Sequence, residues 1–181
     1  DNPHTVMRLT RRAPESSSTN ISYPAYDFYS RNKQNFTSMF AVSSAELTYE
    51  ENERWKSRFV TRNYFSELGV GPAYGRLEAR EPGDIVLSST FFARRFSGDP
   101  SIIGKPILLN RKAARVIGVA ASGFQGLDPE GDQAWAFLED HPHFFADSKL
   151  LISIDMQPLH LYGRLPAGLS PKAAEQAMRP I

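Results

Sequence analysis

The stretch AELTYEENERWKSRF, residues Ala45 to Phe59, decides how the chain is read. Leu47, Tyr49, Trp55 and Phe59 fall on one side of an extended backbone, and Glu46, Thr48, Arg54, Lys56 and Arg58 on the other. Successive side chains of a strand point to opposite faces, so two such runs joined through the polar Glu50–Glu53 segment form a β-hairpin with one buried face. The outward charges of that hairpin read as a solvated surface.

Upstream, Val6–Arg12 reads as a short strand and Ala13–Asn20 as a polar loop. Ser22 is placed to cap a helix with Pro24 in its first turn, where the missing N–H costs little. Tyr26, Tyr29 and Phe36 fall on or near one face of that helix, and Asp27 can pair with Arg31 at i,i+4. Downstream, a short helix over Asn63–Leu68 enters the glycine-rich run YFSELGVGPAYGRLEA, Tyr64–Ala79. There Gly69 reads as a left-handed helix stop, Gly71-Pro72 as a forced turn, and Gly75 as a point of close backbone passage.

Ile85–Ser88 then reads as a buried strand and Thr90–Phe96 as a helix halted by SGDP. Pro106–Val119 is a second hairpin turning at Asn110–Arg111, Gln133–Leu138 an apolar strand, and His160–Leu165 a last strand. A closing helix follows, capped by Ser170 with Pro171 at its first position. Strands dominate without regular βα alternation, so the fold class is α+β. A terminal strand and helix with nothing to return to leads us to expect that the native chain continues.

The bulk properties narrow the function. With 181 residues, 41% hydrophobic and 23% charged, the chain has the composition of an ordinary globular domain. Its 21 basic and 20 acidic residues leave a net charge of +1, which gives no global field for nucleic acid or an anionic membrane. The absence of cysteine excludes disulfides, thiolate catalysis and cysteine-bound metals. No apolar run approaches the ~20 residues that span a bilayer, and the opening DNPHTVMRLTRR has no signal-peptide pattern.

The motifs that invite a chemical reading fail on spacing. GDPSIIGKP, Gly98–Pro106, puts one residue too many between its glycines for a phosphate loop and places Pro106 where a magnesium-binding hydroxyl belongs. GVGPAYG lacks the strand before and the helix after that a dinucleotide fingerprint needs. Asp128, Glu130, Asp132 and Glu139 match four positions of a calcium loop, but Gln133 stands where the glycine is required, so a solvated acidic turn is the simpler reading. His141 and His143 in DHPH offer two imidazoles without a third ligand. No G-x-S-x-G or framed carboxylate pair is present. We therefore assign no catalytic, cofactor-binding or metal-binding residue and expect no cofactor.

Several segments, in order, resemble the MacB-like periplasmic core domain of ABC-transporter permeases of the FtsX/MacB type. ISYPAYDFYSRNKQNFTSMFA (Ile21–Ala41) resembles its opening helix, and VTRNYFSELGVGPAYGRL (Val60–Leu77) its N-Y-F, L-G-V, P and G-R stretch. IVLSSTFFARRFSGDPSIIGKPILLNRKAARVIGVAASGFQGL (Ile85–Leu127) is similar to its helix, G-D-P, I-G, L-N hairpin and I-G-V run. HLYGRLPAGLSPKAAEQAM (His160–Met178) resembles the closing strand and helix. Members of the family carry Asn-Gly at the second hairpin tip, suited to a two-residue turn with positive φ. Asn110-Arg111 leaves that turn type open.

The resemblance implies two lobes: a porter-like βαβ lobe, residues 1–63 and 152–181, and a small mixed α/β lobe inserted at 64–151. It also implies a non-catalytic domain on the periplasmic, extracytoplasmic face of a bacterial inner membrane, the exposed part of an integral membrane protein. ATP-driven movement of membrane helices would pass through it to a periplasmic substrate or partner, whether in efflux, lipoprotein transfer or signalling. The implied partners are a second copy of the permease, an ABC ATPase that hydrolyses ATP on a separate cytoplasmic subunit or domain, and a periplasmic adaptor or envelope protein, with no nucleic acid. The alternative is a periplasmic module that holds a peptide, lipid or sugar between its lobes.

Overall fold

The structure, a computed structural model, describes residues 5–10, 20–32, 36–170 and 173. The decisive hairpin is present as β2 (Ser38–Tyr49) and β3 (Glu53–Val60), in antiparallel register with Leu47 opposite Trp55. Leu47, Trp55 and Phe59 are fully buried, as their alternation requires, and Tyr49 stacks on Trp55 with ring centroids 4.8 Å apart.

Helix α1 (Tyr23–Arg31) starts where its cap predicts, with Ser22 Oγ accepting from the Ala25 N–H at 3.3 Å. Arg31 pairs with Asp27 at 3.0 Å. The helix ends sooner than the aromatic spacing suggests: Asn32 leaves helical geometry at φ −111° and ψ 55°, and its side-chain amide caps the end by donating to the Phe28 carbonyl at 2.9 Å. Phe36 lies beyond the helix and is buried against the backbone at Gly163 instead. Strand β1 covers Val6–Leu9; Arg11, Arg12 and most of the predicted polar loop lie outside the described residues. At the other end Ser170 Oγ accepts from the Ala173 N–H at 3.2 Å, while Pro171 and the body of the predicted helix lie outside the described residues.

Between these come α2 (Tyr64–Glu67), β4 (Pro72–Gly75), β5 (Asp84–Leu87), α3 (Ser89–Phe96), β6 (Pro106–Leu109), β7 (Lys112–Ala120), β8 (Ala134–Phe137) and α4 (His141–Phe144), with β9 (His160–Arg164) last. Strand β4 replaces the predicted Gly71-Pro72 turn. Its residues are all exposed, so no burial pattern marks it, and it exists because the edge of β7 pairs with it. Gly69, at φ 66°, does stop α2. Gly75 and Gly118 sit where β4 meets β7: a Cβ on Gly75 would lie 2.2 Å from the Ile117 carbonyl, and one on Gly118 2.1 Å from the Arg76 carbonyl.

One sheet runs β1-β9-β2-β3-β8-β5-β7-β4, so strands from outside 64–151 occupy one end and strands from within it the other. The two ends meet at the parallel pairing of β3 with β8, Ser57–Val60 against Ala134–Phe137. Strand β6 pairs with β7 along its length and also with β2 at Tyr49↔Leu109. The hydrogen-bonded path β2–β3–β8–β5–β7–β6–β2 is therefore closed. Inside it lie Leu47, Trp55, Ile85, Leu87, Leu109 and Val116, continuous with the core beneath α1 and plugged by Phe91 and Phe92 of α3. On the opposite face Phe40, Val60, Val86, Trp135 and Phe137 pack under Tyr64 and Phe65 of α2.

The second hairpin turns with Asn110 at φ 51° and Arg111 at φ 61°. Two positive φ values belong to the two-residue turn whose twist matches paired strands. The turn type survives a non-glycine residue at its second position.

Candidate functional site

The polar side chains that the structure gathers lie chiefly where the two ends of the sheet meet. Arg58 and Lys56 are on β3, and the loop before β8 brings Asp128, Glu130 and Asp132 to them. Arg58 Nε donates to Asp132 Oδ1 at 2.8 Å, with the two side chains only 8% and 2% exposed, and its other nitrogens reach Asp128 and Ser44. Lys56 Nζ donates to Asp128 at 3.1 Å and Glu130 at 3.0 Å. Backbone bonds lock the same line: Lys56 N–H donates to Gln133 Oε1 at 2.8 Å and Gln133 N–H to the Lys56 carbonyl at 2.9 Å.

The electrostatics follow from burial and pairing. Burial pushes the Asp132 carboxyl up, and the Arg58 guanidinium offsets part of that. Asp128 is held below the usual carboxylate range by the Glu130 N–H and by Lys56. The alternation placed Arg58 on a solvated face, and the acidic spacing suggested a solvated turn. Arg54, Lys56 and Glu130 keep the exposure those readings give them, while Arg58 and Asp132 depart from both, being buried and paired. A buried charge is retained when it is paired and hydrogen-bonded, and these charges are. Glu139 belongs to a different cluster, so the four carboxylates of the calcium-like spacing do not converge.

That second cluster follows β3. Arg62 approaches Asp140 at 3.3 Å and Glu139 at 3.8 Å. Burial raises both carboxyl pKa values, and Glu139 Oε2 and Asp140 Oδ2 have no hydrogen-bond partner among the described residues. Tyr26 of α1, facing Glu139, is pushed by burial to about 12.

A third cluster surrounds Asp84 at the start of β5. Its fully buried carboxylate accepts from the Arg80 and Glu81 N–H groups at 3.0 and 3.2 Å, from Arg76 at 3.0 Å, and from Arg115 at 2.9 and 3.1 Å. Burial alone would raise its pKa; the two backbone donors and the two arginines hold it below the usual range instead. Sequence reading missed this centre, since the four donor residues are spread from Arg76 to Arg115. The only local signal is an aspartate opening an otherwise apolar strand.

The remaining candidates make local contacts. Asp99 caps the 3-10 turn Pro100–Ile102 by accepting from the Ser101 N–H at 2.9 Å, so GDPSIIGKP turns the chain between α3 and β6. The histidines of DHPH diverge. His141 Nδ1 meets Ser148 Oγ at 2.6 Å and its ring stacks on Phe145, whereas His143 Nε2 donates to the Ala113 carbonyl at 2.7 Å. Among the described residues no group of His, Asp and Glu is arranged to hold a metal. An open hollow of about 500 Å³ is lined by His141, Phe145, Asp147, Lys149 and Met156, all from one segment rather than from both ends of the sheet. No helix of the described residues is long and apolar enough to cross a membrane.

Comparison with known proteins places this architecture. The chain is similar in structure to a domain described as that of a permease protein from Porphyromonas gingivalis, with TM-score 0.68 and 16% identity over 98% of this chain and 83% of that one. It is similar also to the periplasmic region of MacB from Actinobacillus actinomycetemcomitans, with TM-score 0.67 and 14% identity over 97% and 81%. The extracellular domain of the noncanonic ABC-type transporter YknZ from Gram-positive bacteria gives TM-score 0.66 and 12% identity over 95% and 88%. No curated protein matches the sequence. The family model of the MacB-like periplasmic core domain matches residues 2–181. The chain belongs to the family of MacB-like periplasmic core domains.

Proposed function

We propose that this domain is the extracytoplasmic part of an ABC-transporter permease and that it carries ATP-driven motion of membrane helices to a periplasmic substrate or partner. The observation that carries the reading is the family match over residues 2–181. The structure adds a physical basis, because Arg58 and Lys56 pair with Asp128, Glu130 and Asp132 across the β3–β8 line. We further propose the division into a porter-like lobe (1–63 and 152–181) and an inserted lobe (64–151), supported by the way strands sort along the sheet. The paired charges at that junction favour this reading over a ligand held between lobes. The partners in this reading are a second permease copy, an ATPase on a separate cytoplasmic subunit or domain, and a periplasmic adaptor or envelope protein.

The test uses the full-length protein in membranes with its ATPase. A spin label on Thr10→Cys, an exposed position in a chain without cysteine, reports the separation of two copies. The distance should change between nucleotide-free and vanadate-trapped states. An unchanged distance with active ATP hydrolysis refutes the role. A reading frame without apolar spans of ~20 residues on both sides of the domain refutes the permease assignment.

A further inference from the structure

The closed strand path has one short segment, and it lies between two hairpin tips. Strand β2 and β6 share the single opposed pair Tyr49↔Leu109, flanked by Asn110 N–H to the Thr48 carbonyl at 2.8 Å and Glu50 N–H to the Leu108 carbonyl at 3.0 Å. Asn110 adds a third bond: its Oδ1 accepts from the Thr48 N–H at 2.8 Å. Asn110 thus offers Thr48 both a donor and an acceptor, the two-point pairing that another strand residue would make. The position demands φ 51° as well. Asparagine tolerates the left-handed region and carries an amide oxygen; glycine meets only the first requirement.

The surroundings hold the same tips. Leu109 is fully buried, Tyr49 stacks on Trp55, and Phe91 of α3 meets Trp55 edge-on at 4.9 Å. Arg95 of α3 lies 5.0 Å from the Tyr49 ring centroid and pairs with Glu53 at 2.9 Å. A hinge about the β3–β8 pairing would have to part these tips and expose Leu47, Trp55 and Leu109, all fully buried now. Returning such apolar side chains to water opposes the opening.

We propose that this seam is a latch, with Asn110 as its positioning residue, which closes the sheet into a ring and makes the two ends of the sheet move as one rigid body. Under the proposed transport role, motion then enters and leaves the domain without an internal hinge. That consequence rests on the role; the latch itself does not, and its failure would leave the permease assignment standing.

Labels at Thr10→Cys and Glu78→Cys, exposed and at opposite ends of the sheet, read the relative motion in the isolated chain by electron–electron double resonance. The otherwise unaltered protein should give one narrow distance. Asn110→Gly keeps the turn and removes the amide oxygen. It should speed hydrogen exchange of the Thr48 amide about tenfold, the scale of one hydrogen bond, and broaden the distance distribution. Arg111→Gly, which alters the turn but not the latch, should leave Thr48 protection within about twofold. Two distances in the unaltered protein overturn the proposal. So does faster Thr48 exchange with an unchanged distance, or no change in either. Should Asn110→Gly fail to fold, the unaltered chain decides: Thr48 and Glu50 amides must exchange with the slow β2–β3 ladder, and exchange at exposed-turn rates refutes the latch.

Discussion

Replacing Asp84 by alanine should destabilise the domain more than removing either arginine that faces it. The carboxylate is fully buried and accepts bonds from two backbone N–H groups and two guanidinium groups. Alanine would leave the Arg80 and Glu81 N–H groups without their acceptor and two cations facing an apolar strand. Removing one member of a buried charge cluster costs about 3–5 kcal/mol, which lowers Tm by roughly 6–20 °C for a chain of this size. Arg115 is 42% exposed, so water compensates much of its loss, and Arg115→Ala should cost only about 1 kcal/mol. Asp84→Asn retains one acceptor oxygen and should fall between the two.

The pH dependence gives a second reading of the same centre. A carboxyl whose folded pKa is depressed stabilises the fold above its unfolded value, near 3.9, and loses that contribution as pH falls through the folded value. The gap between the parent and Asp84→Asn should therefore be full at pH 7 and shrink below about pH 4. Urea denaturation followed by tryptophan fluorescence at both pH values measures it. An Asp84→Ala penalty below about 1 kcal/mol, or a gap that does not change with pH, would refute the reasoning.

Arg58→Ala leaves Asp132 buried without its partner and should cost about 3–5 kcal/mol, whereas Arg54→Ala, on an exposed pair, should fall within about 0.5 kcal/mol of the parent by the same melts. Arg111→Gly relieves a left-handed residue and should stabilise by about 1 kcal/mol; a drop in Tm would show that the side chain contributes more than its backbone strain. Gly118→Ala sets a Cβ against the Arg76 carbonyl, so β4 should detach and the Arg76 amide, which donates to the Ile117 carbonyl, lose exchange protection. Asp140 has a carboxyl raised by burial, so ionising it opposes folding above its unfolded pKa. Asp140→Asn should raise Tm at pH 7 and flatten the rise in stability that the parent shows as pH falls through the folded value.

Local physics made much of this architecture legible. The hairpin of β2 and β3 shows in the alternation of Leu47, Tyr49, Trp55 and Phe59, since burial of one face imposes period two. Ser22 betrays its helix because a cap is a contact within one turn. The glycine run predicted Gly69 and Gly75 correctly for the same reason, but β4 escaped notice, since its exposed residues satisfy no burial pattern.

Sequence by itself determined the α+β class, the two hairpins, the helix starts and, through ordered motifs, the family. Tertiary structure alone decided that Arg58 is buried, that the acidic turn is its counter-charge, that Asp84 gathers donors from Arg76 to Arg115, and that Asn110 meets Thr48. The division has a physical cause. Turn, cap and alternation energies act between near neighbours and leave their mark on spacing. Ion pairs and strand seams between residues tens of positions apart depend on where the folded chain returns, and only the packed sheet specifies that.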